Sequence, residues 1–514
     1  MITRKEYKKF LNLLSIVAVF AIQKPALEAQ ESTTSLTIYS SADPTSFDPN
    51  SFLSGQNARG DSEFARQVPG FGIIKEDREF ELTSGVNQLS LAEVPQFIDP
   101  TTLHAASLTD PEAQVLGQEY QFDLIGSDKL LERYVDKEVS AIVTRGGQSV
   151  TVTGTLLATG SFDRQMVIQT ANGIEILDRS TTQLRLGALP GGLISKPSLL
   201  LSFKTKKAGK HTIRSSYQSA GLTWRSDYNL ILSNEETTAD LSAWVSLLNL
   251  SGTSFKNAKL KLVAGDVARV APRMEHFKGG APRVAAMTSE DAVGFEERAF
   301  FEYHLYSLPQ AVNLNSHQTM QLSLFPAVQG LPIQKQLIFD SMSGRPWYGS
   351  QIDSEPYLDG DAPGKVAISV EFKNNEASKL GRPLPAGRVR LFKRDTDGSI
   401  ELIGEDLIDH TGKDSTITLK VGNAFDVTGR RTVLDFKTDS KGRKMEELVR
   451  INLKNAKEVP VTVLVRESLY RGQNWNILDA NQKYKKVDAF RIEAPIDVPA
   501  RSETNFEYRV RYTW

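Results

Sequence analysis

The sequence predicts an all-β chain: tandem antiparallel β-sandwich domains, with a small SH3-like or Sm-like β-barrel inserted between the N-terminal and C-terminal sandwiches. Three observations carry that reading. Apolar residues recur with a period of two, as in Val389 and Leu391 or Ile417, Leu419 and Val421, which puts one strand face into a core. Turn dipeptides that tolerate left-handed backbone, Gly146-Gly147, Asn172-Gly173 and Asp397-Gly398, fall between such runs. No long heptad run competes with the strands. At 514 residues the chain is long enough for two to four domains of about 100–200 residues.

Residues 1–29 read as a secretory leader. Arg4, Lys5, Lys8 and Lys9 give a basic start, residues 10–22 are uncharged and apolar, and Ala26 and Ala29 supply small residues before Gln30. That apolar run of 13 residues is short of the ~20 a spanning helix needs, so cleavage after Ala29 is expected instead of a retained anchor. Residues 30–64 form a polar, turn-rich arm in which only Leu36, Ile38 and Phe47 look ready for burial. A short strand at 35–40 is expected to pair with a later sheet edge or with another molecule, which leaves self-association through the arm open.

Residues 65–124 alternate through Ile73, Phe80, Leu82, Leu89 and Leu91, with turns at Ser84-Gly85 and Asp99-Pro100, and predict a small β-sandwich. In residues 125–190, Leu130, Leu131 and Tyr134 have helical spacing behind a Ser127-Asp128 cap and first turn. Short strands at 138–144, 150–158 and 166–170 follow, and a helix leading such strands predicts the barrel. Barrels of this kind sometimes bind RNA, but without a basic stripe a structural spacer is expected.

Residues 197–514 predict a C-terminal domain of two sandwich-like halves, 197–340 and 365–514. Strands are expected at 198–205, 211–217, 226–232, 239–249 and 259–264, with Trp224 and Trp244 as core anchors. Alternation stops over 268–294, which reads as a long mobile loop, and a second loop at 341–364 carries Gly344, Pro346, Pro356 and Pro363. At the C-terminus Phe506, Tyr508, Val510 and Tyr512 alternate up to Trp514 and predict a buried closing strand. An outer-membrane barrel, the other reading of an aromatic terminus, needs many ~10-residue strands with apolar outer faces.

Several motifs in this domain, R-P-L-P-A-G (382–387), D-L-I-D-H-T (406–411) and V-G-N-A-F-D-V (421–427), resemble those of bacterial mucoidy-inhibitor-A-like proteins and their C-terminal domain-of-unknown-function family 4139. The resemblance continues through G-L-T-W-R-S-D-Y (221–228) and N-A-K-L-K-L-V-A-G-D-V (257–267), and more weakly through F-I-D-P-T-T-L-H-A-A-S-L (97–108). It implies an exported, β-rich envelope protein and supplies no chemistry. Such proteins usually place a charged coiled coil before this domain, whereas no long heptad run precedes it here.

Charge and cysteine usage exclude several classes. Loss of the leader removes five of the 61 basic and two of the 62 acidic residues, leaving 56 against 60, near −4. That balance has no polybasic footprint for nucleic acid, and no later apolar stretch is long enough to cross a membrane as a helix. With no cysteine there is no disulfide, thiolate metal site or cysteine nucleophile.

The six histidines lack paired ligand spacing, and phosphate-loop, dinucleotide and nucleophile-elbow motifs are missing, so no catalytic residue, metal site or cofactor is assigned. Asp395-Thr396-Asp397-Gly398 imitates the start of a calcium loop but sits where a hairpin turn is expected. Five binding candidates remain. His410 and Asp426 lie in the motifs above, and Trp347, Tyr348 and Trp475 are rings in predicted loops suited to stacking on sugars. The expected role is structural or binding, as an interaction scaffold in the periplasm or at the cell surface, with an envelope protein or polysaccharide as partner. The alternative is an envelope hydrolase or carbohydrate-binding protein acting on cell-surface polysaccharide.

Overall fold

The computed structural model describes residues 27–28, 32–40, 68–121, 126–159, 165–188, 193–265, 267, 295–301, 303–340, 361–439, 441–472 and 474–514. Most of the leader, most of the arm, the loop 268–294 and nearly all of the loop 341–364 lie outside the described residues. The described chain is nearly all strand, with one α-helix, Ser127–Arg133. It divides into two compact units, one from Met1–Ser35, Ile73–Ala220 and Ser251–Ala258, the other from Leu36–Gly72, Gly221–Leu250 and Lys259–Trp514.

In the first unit, Ser198–Thr205 pairs antiparallel with both Gly85–Ala92 and Gln114–Gln121, and Leu27–Glu28 adds a short parallel strand to Gly85–Ala92. Inward residues Leu89, Leu91, Leu199, Leu201 and Phe203 are fully buried, the period-two pattern at work. A separate five-stranded sheet holds Gly173–Asp178, Gln165–Thr170, Gln148–Thr159, Glu138–Arg145 and Gln183–Arg185, in that order. Its hairpin turn at Gly146 and Gly147 has φ of +58° and +81°, a backbone that favours glycine. The helix packs Leu131 and Tyr134 onto Val139, Leu156, Met166 and Ile168. Its cap is Gly126 and not Ser127, which makes no side-chain capping bond, while Asp128 in the first turn pairs with Arg179.

The strands of 197–264, expected to form one half-sandwich, go to different sheets. Gly209–Ser219 pairs with Ile98–Ser107, whereas Leu222–Leu232 and Thr238–Asn249 join the second unit's five-stranded sheet. That sheet has the order Gln318–Pro332, Thr238–Asn249, Leu222–Leu232, Gly387–Arg394, Ile400–Ile408. Strands from both sides of 341–364 therefore share it, with Leu222–Leu232 and Gly387–Arg394 running parallel. The arm's strand, Ser32–Tyr39, is used within the chain. Leu36 and Ile38 are fully buried, Ser40 N–H donates to Val263 O at 3.2 Å, and the Trp224 indole N–H donates to Ile38 O at 3.1 Å.

A nine-stranded sheet completes the second unit, in the order Asn474–Ala480, Ser502–Thr513, Lys444–Asn455, Thr416–Asp439, Asp361–Lys373, Gln334–Asp340, Val461–Ser468, Arg491–Val498, Lys485–Lys486. Asp361–Lys373 begins inside the expected loop because Gly364 is needed in the sheet. Gly364 and its register partner Gly429 flank the fully buried Phe339 ring, and a Cβ on them would lie 2.7 and 2.3 Å from it. Phe506, Tyr508, Val510 and Tyr512 are buried in this core, and their strand is paired on both sides.

Two buried ion pairs cross the same core. Arg431 Nε donates to Glu467 at 3.1 Å, where Tyr508 also donates its hydroxyl, and Arg471 Nε donates to Glu447 at 2.8 Å. Tyr508 and Glu467 stand five strands apart in the sheet order, so the sheet curls far enough to join them. Both guanidinium groups lie over the Tyr470 ring, 5.8 and 5.3 Å from its centroid.

Candidate functional site

The strand Leu222–Leu232 is central in the five-stranded sheet, and its two faces have opposite chemistry. Even-numbered residues Leu222, Trp224, Tyr228 and Leu230 are buried, and the Tyr228 hydroxyl donates to Pro385 O at 2.7 Å. The opposite face carries Thr223, Arg225, Asp227 and Asn229. Register extends it across the sheet: Asp227 stands opposite Trp244 on one side and Arg388 on the other, with Ser323 beyond Trp244 and Leu407 beyond Arg388. Paired residues share a face, so these five form one row.

Asp227 is the buried anchor of that row. Its Oδ2 accepts from Ser246 Oγ at 2.6 Å and Arg225 Nε at 3.2 Å, and Arg390 Nη1 lies 3.7 Å from its Oδ1. Arg390 Nε donates to Glu405 at 3.0 Å, and Gln321 donates to Ser246 at 3.1 Å. Above this network Trp244 is 38 % exposed, a large ring left facing solvent. Arg388 is half-buried and takes part in none of the ion pairs formed among the described residues. Arg225 and Arg390 both stand against Asp227, and Arg390 pairs with Glu405 as well, while Arg388 is the register neighbour of Asp227 on the adjacent strand. An exposed indole with a guanidinium in the same row can stack on a ring and hold an anion, which is binding chemistry.

Trp244, expected as a core anchor beside Trp224, is thus the correction that builds the site. The signal was in its phase: Leu241, Ala243, Val245 and Leu247 are buried, and Trp244 alternates with them alongside Ser242 and Ser246.

The sequence-predicted candidates are not brought together. His410 is exposed and accepts the Ala386 N–H on Nδ1 at 3.1 Å, beside the bridge between Leu384 and Thr411. Asp426 is exposed, and its main-chain carbonyl accepts the Ala456 N–H at 2.8 Å. Trp475 belongs to a strand, Asn474–Ala480, and not to a loop. Its indole N–H donates to Ala489 O at 2.7 Å and its ring lies under Lys486. Each of the three holds a different stretch of backbone. Trp347 and Tyr348 lie outside the described residues.

The calcium-like stretch is a turn: Asp395 accepts the Thr396 N–H, Asp397 accepts the Ser399 N–H, and Gly398 has φ of +89°. Among the described residues no group of three or more acidic or histidine side chains is placed to hold a metal ion. In the first unit, buried Ser107 Oγ lies 3.3 Å from His211 Nδ1 and accepts the Asp110 N–H at 3.0 Å, while His211 Nε2 faces Lys207 O. That arrangement secures a turn and keeps both side chains from solvent. Among the described residues no helix is long and apolar enough to cross a membrane. Compared with known proteins, the chain matches no family model and no curated protein.

Proposed function

We propose that the protein is an exported cell-envelope protein of structural or binding role, built as a mucoidy-inhibitor-A-like scaffold that engages its partner through the face around the exposed Trp244 ring. The observation that carries this is the row Ser323, Trp244, Asp227, Arg388, Leu407, in which a buried carboxylate fixes polar side chains beneath an exposed ring. The motif G-L-T-W-R-S-D-Y that suggested the family supplies both the core anchors and the polar face of this strand. Strand order in the first unit's five-stranded sheet favours the Sm-like barrel: a leading helix, four strands in a meander, and a fifth returning to the free edge of the first. Sandwich packing of the remaining sheets fits strands with one buried and one polar face.

Crosslinking in native cells followed by purification tests the reading. The wild type is expected outside the cytoplasm, beginning near Gln30, with a partner that Trp244→Ala loses. A cytosolic protein with intact Met1 and no Trp244-dependent partner overturns it.

A further inference from the structure

We propose that the Trp244 face binds an acidic saccharide, a segment of polysaccharide bearing uronate carboxylates; this rests on the binding reading above and names its ligand. Four features of the face select that chemistry. The indole of Trp244 is exposed on a strand and therefore held rigid, the form in which an aromatic ring stacks on the C–H face of a pyranose. Neighbouring strands are roughly 4.8 Å apart, so Arg388, two strands from Trp244, stands roughly 10 Å away, within reach of a carboxylate on the stacked sugar or the next. Arg388 forms no ion pair among the described residues, and a bidentate carboxylate matches its guanidinium. Hydroxyl and amide side chains that reach solvent flank the row, Gln321 on one side and Ser242 and Asn229 on the other, suiting a chain of hydroxyl-bearing rings.

Asp227 does not oppose an anion here. It is buried, its Oδ2 is occupied by Ser246 and Arg225, and Arg390 stands beside Oδ1, so its charge is already countered within the protein. Asp227 is a positioning residue: it fixes Arg225 and Ser246 and leaves Arg388 to the ligand. A neutral glycan would leave Arg388 unused.

The test is retardation of the intact protein in native gels containing polygalacturonate, dextran or polyglutamate, with Trp244→Ala and Arg388→Gln beside the wild type and thermal melts to verify folding. Polygalacturonate is expected to retard the wild type. Trp244→Ala should weaken that about tenfold, as a central aromatic contact does, and Arg388→Gln should weaken it and flatten its salt dependence. Equal retardation by dextran, unchanged in Arg388→Gln, overturns the acidic ligand while leaving the binding face. Equal retardation by polyglutamate reduces the face to an anion-binding surface and overturns the saccharide. Polygalacturonate binding that survives both folded variants places the site elsewhere. If no polymer binds, the saccharide is refuted; crosslinked partners that Trp244→Ala still retains then refute the binding face too, and partners that it loses identify a protein ligand instead.

Discussion

Glu467→Gln tests how the C-terminal core is held. Glu467 is fully buried, accepts from Arg431 Nε at 3.1 Å, and also takes the Tyr508 hydroxyl. Burial disfavours charge on Arg431, but Glu467 and its neighbours more than offset that and keep the guanidinium protonated. Neutralising Glu467 leaves that cation in apolar surroundings, and breaking one half of a buried pair costs about 3–5 kcal/mol. With about 2–4 °C per kcal/mol for a large domain, the melting temperature should fall by roughly 6–20 °C. Urea denaturation followed by tryptophan fluorescence measures the free energy, with the m-value expected to stay constant. The apolar replacement Arg431→Met, Glu467→Leu, Tyr508→Phe removes both charges and the Tyr508 hydroxyl together and should come within about 1–2 kcal/mol of the wild type or exceed it. If Glu467→Gln alone stays within about 1 kcal/mol, the pair is hydrated in solution and the argument fails.

Gly429→Ala should cost about 1–3 kcal/mol by driving a methyl into the Phe339 ring, and Phe339→Leu in the same chain should recover part of it by calorimetry. Hydrogen bonds from Arg214 hold the Asp77 carboxyl below the usual range, and Arg509 and Lys437 do the same for Asp435. Both groups contribute stability that is fully present above the unfolded carboxylate value of about 3.9 and is lost as pH falls through the lower folded value. Urea midpoints should therefore be level from neutral pH down to about 5 and fall below about 4, less steeply in Asp77→Asn. His410→Ala and Asp426→Ala should leave crosslinked partners unchanged, because the His410 ring accepts a backbone N–H from its own chain and Asp426 contributes a main-chain carbonyl. Loss of partners in either would move the binding face toward that residue.

Local pattern was legible where one strand has one buried face. Phe506, Tyr508, Val510 and Tyr512 were read as core and are buried, and the Asp397-Gly398 turn joins Gly387–Arg394 to Ile400–Ile408 as expected. Partner choice was not legible, because alternation gives the face a residue occupies and not the strand it pairs with. Hence Ser198–Thr205, Gly209–Ser219 and Leu222–Leu232, consecutive in sequence, lie in three different sheets, and Gly387–Arg394 arrives from beyond the second loop to run parallel with the last. The Gly364 and Gly429 pair was unreadable for a related reason: a glycine in a proline-rich stretch signals a turn until the ring that needs its space is known. Composition also hid the site. Trp244 was placed in the core for being tryptophan, although its phase put it with serines.

The same physics explains why Leu222–Leu232 carries both a core and a site. A central strand has no edge to spare, so its backbone is committed to Thr238–Asn249 and Gly387–Arg394, and only its side chains remain to act. One set, with Trp224 and Tyr228, is tied by indole and hydroxyl donors to Ile38 and Pro385, which fixes the strand in depth and register. The other set then stands on a support that cannot slide, and Asp227 turns that rigidity into orientation for Arg225 and Ser246. A site built in this way should tolerate changes in surrounding loops and respond sharply to changes in the strand. Asp227→Asn is the discriminating variant. It keeps the size and an acceptor for Ser246 but removes the charge beneath three guanidinium groups, so binding at the face should change while Trp224 and Tyr228 hold the fold in place.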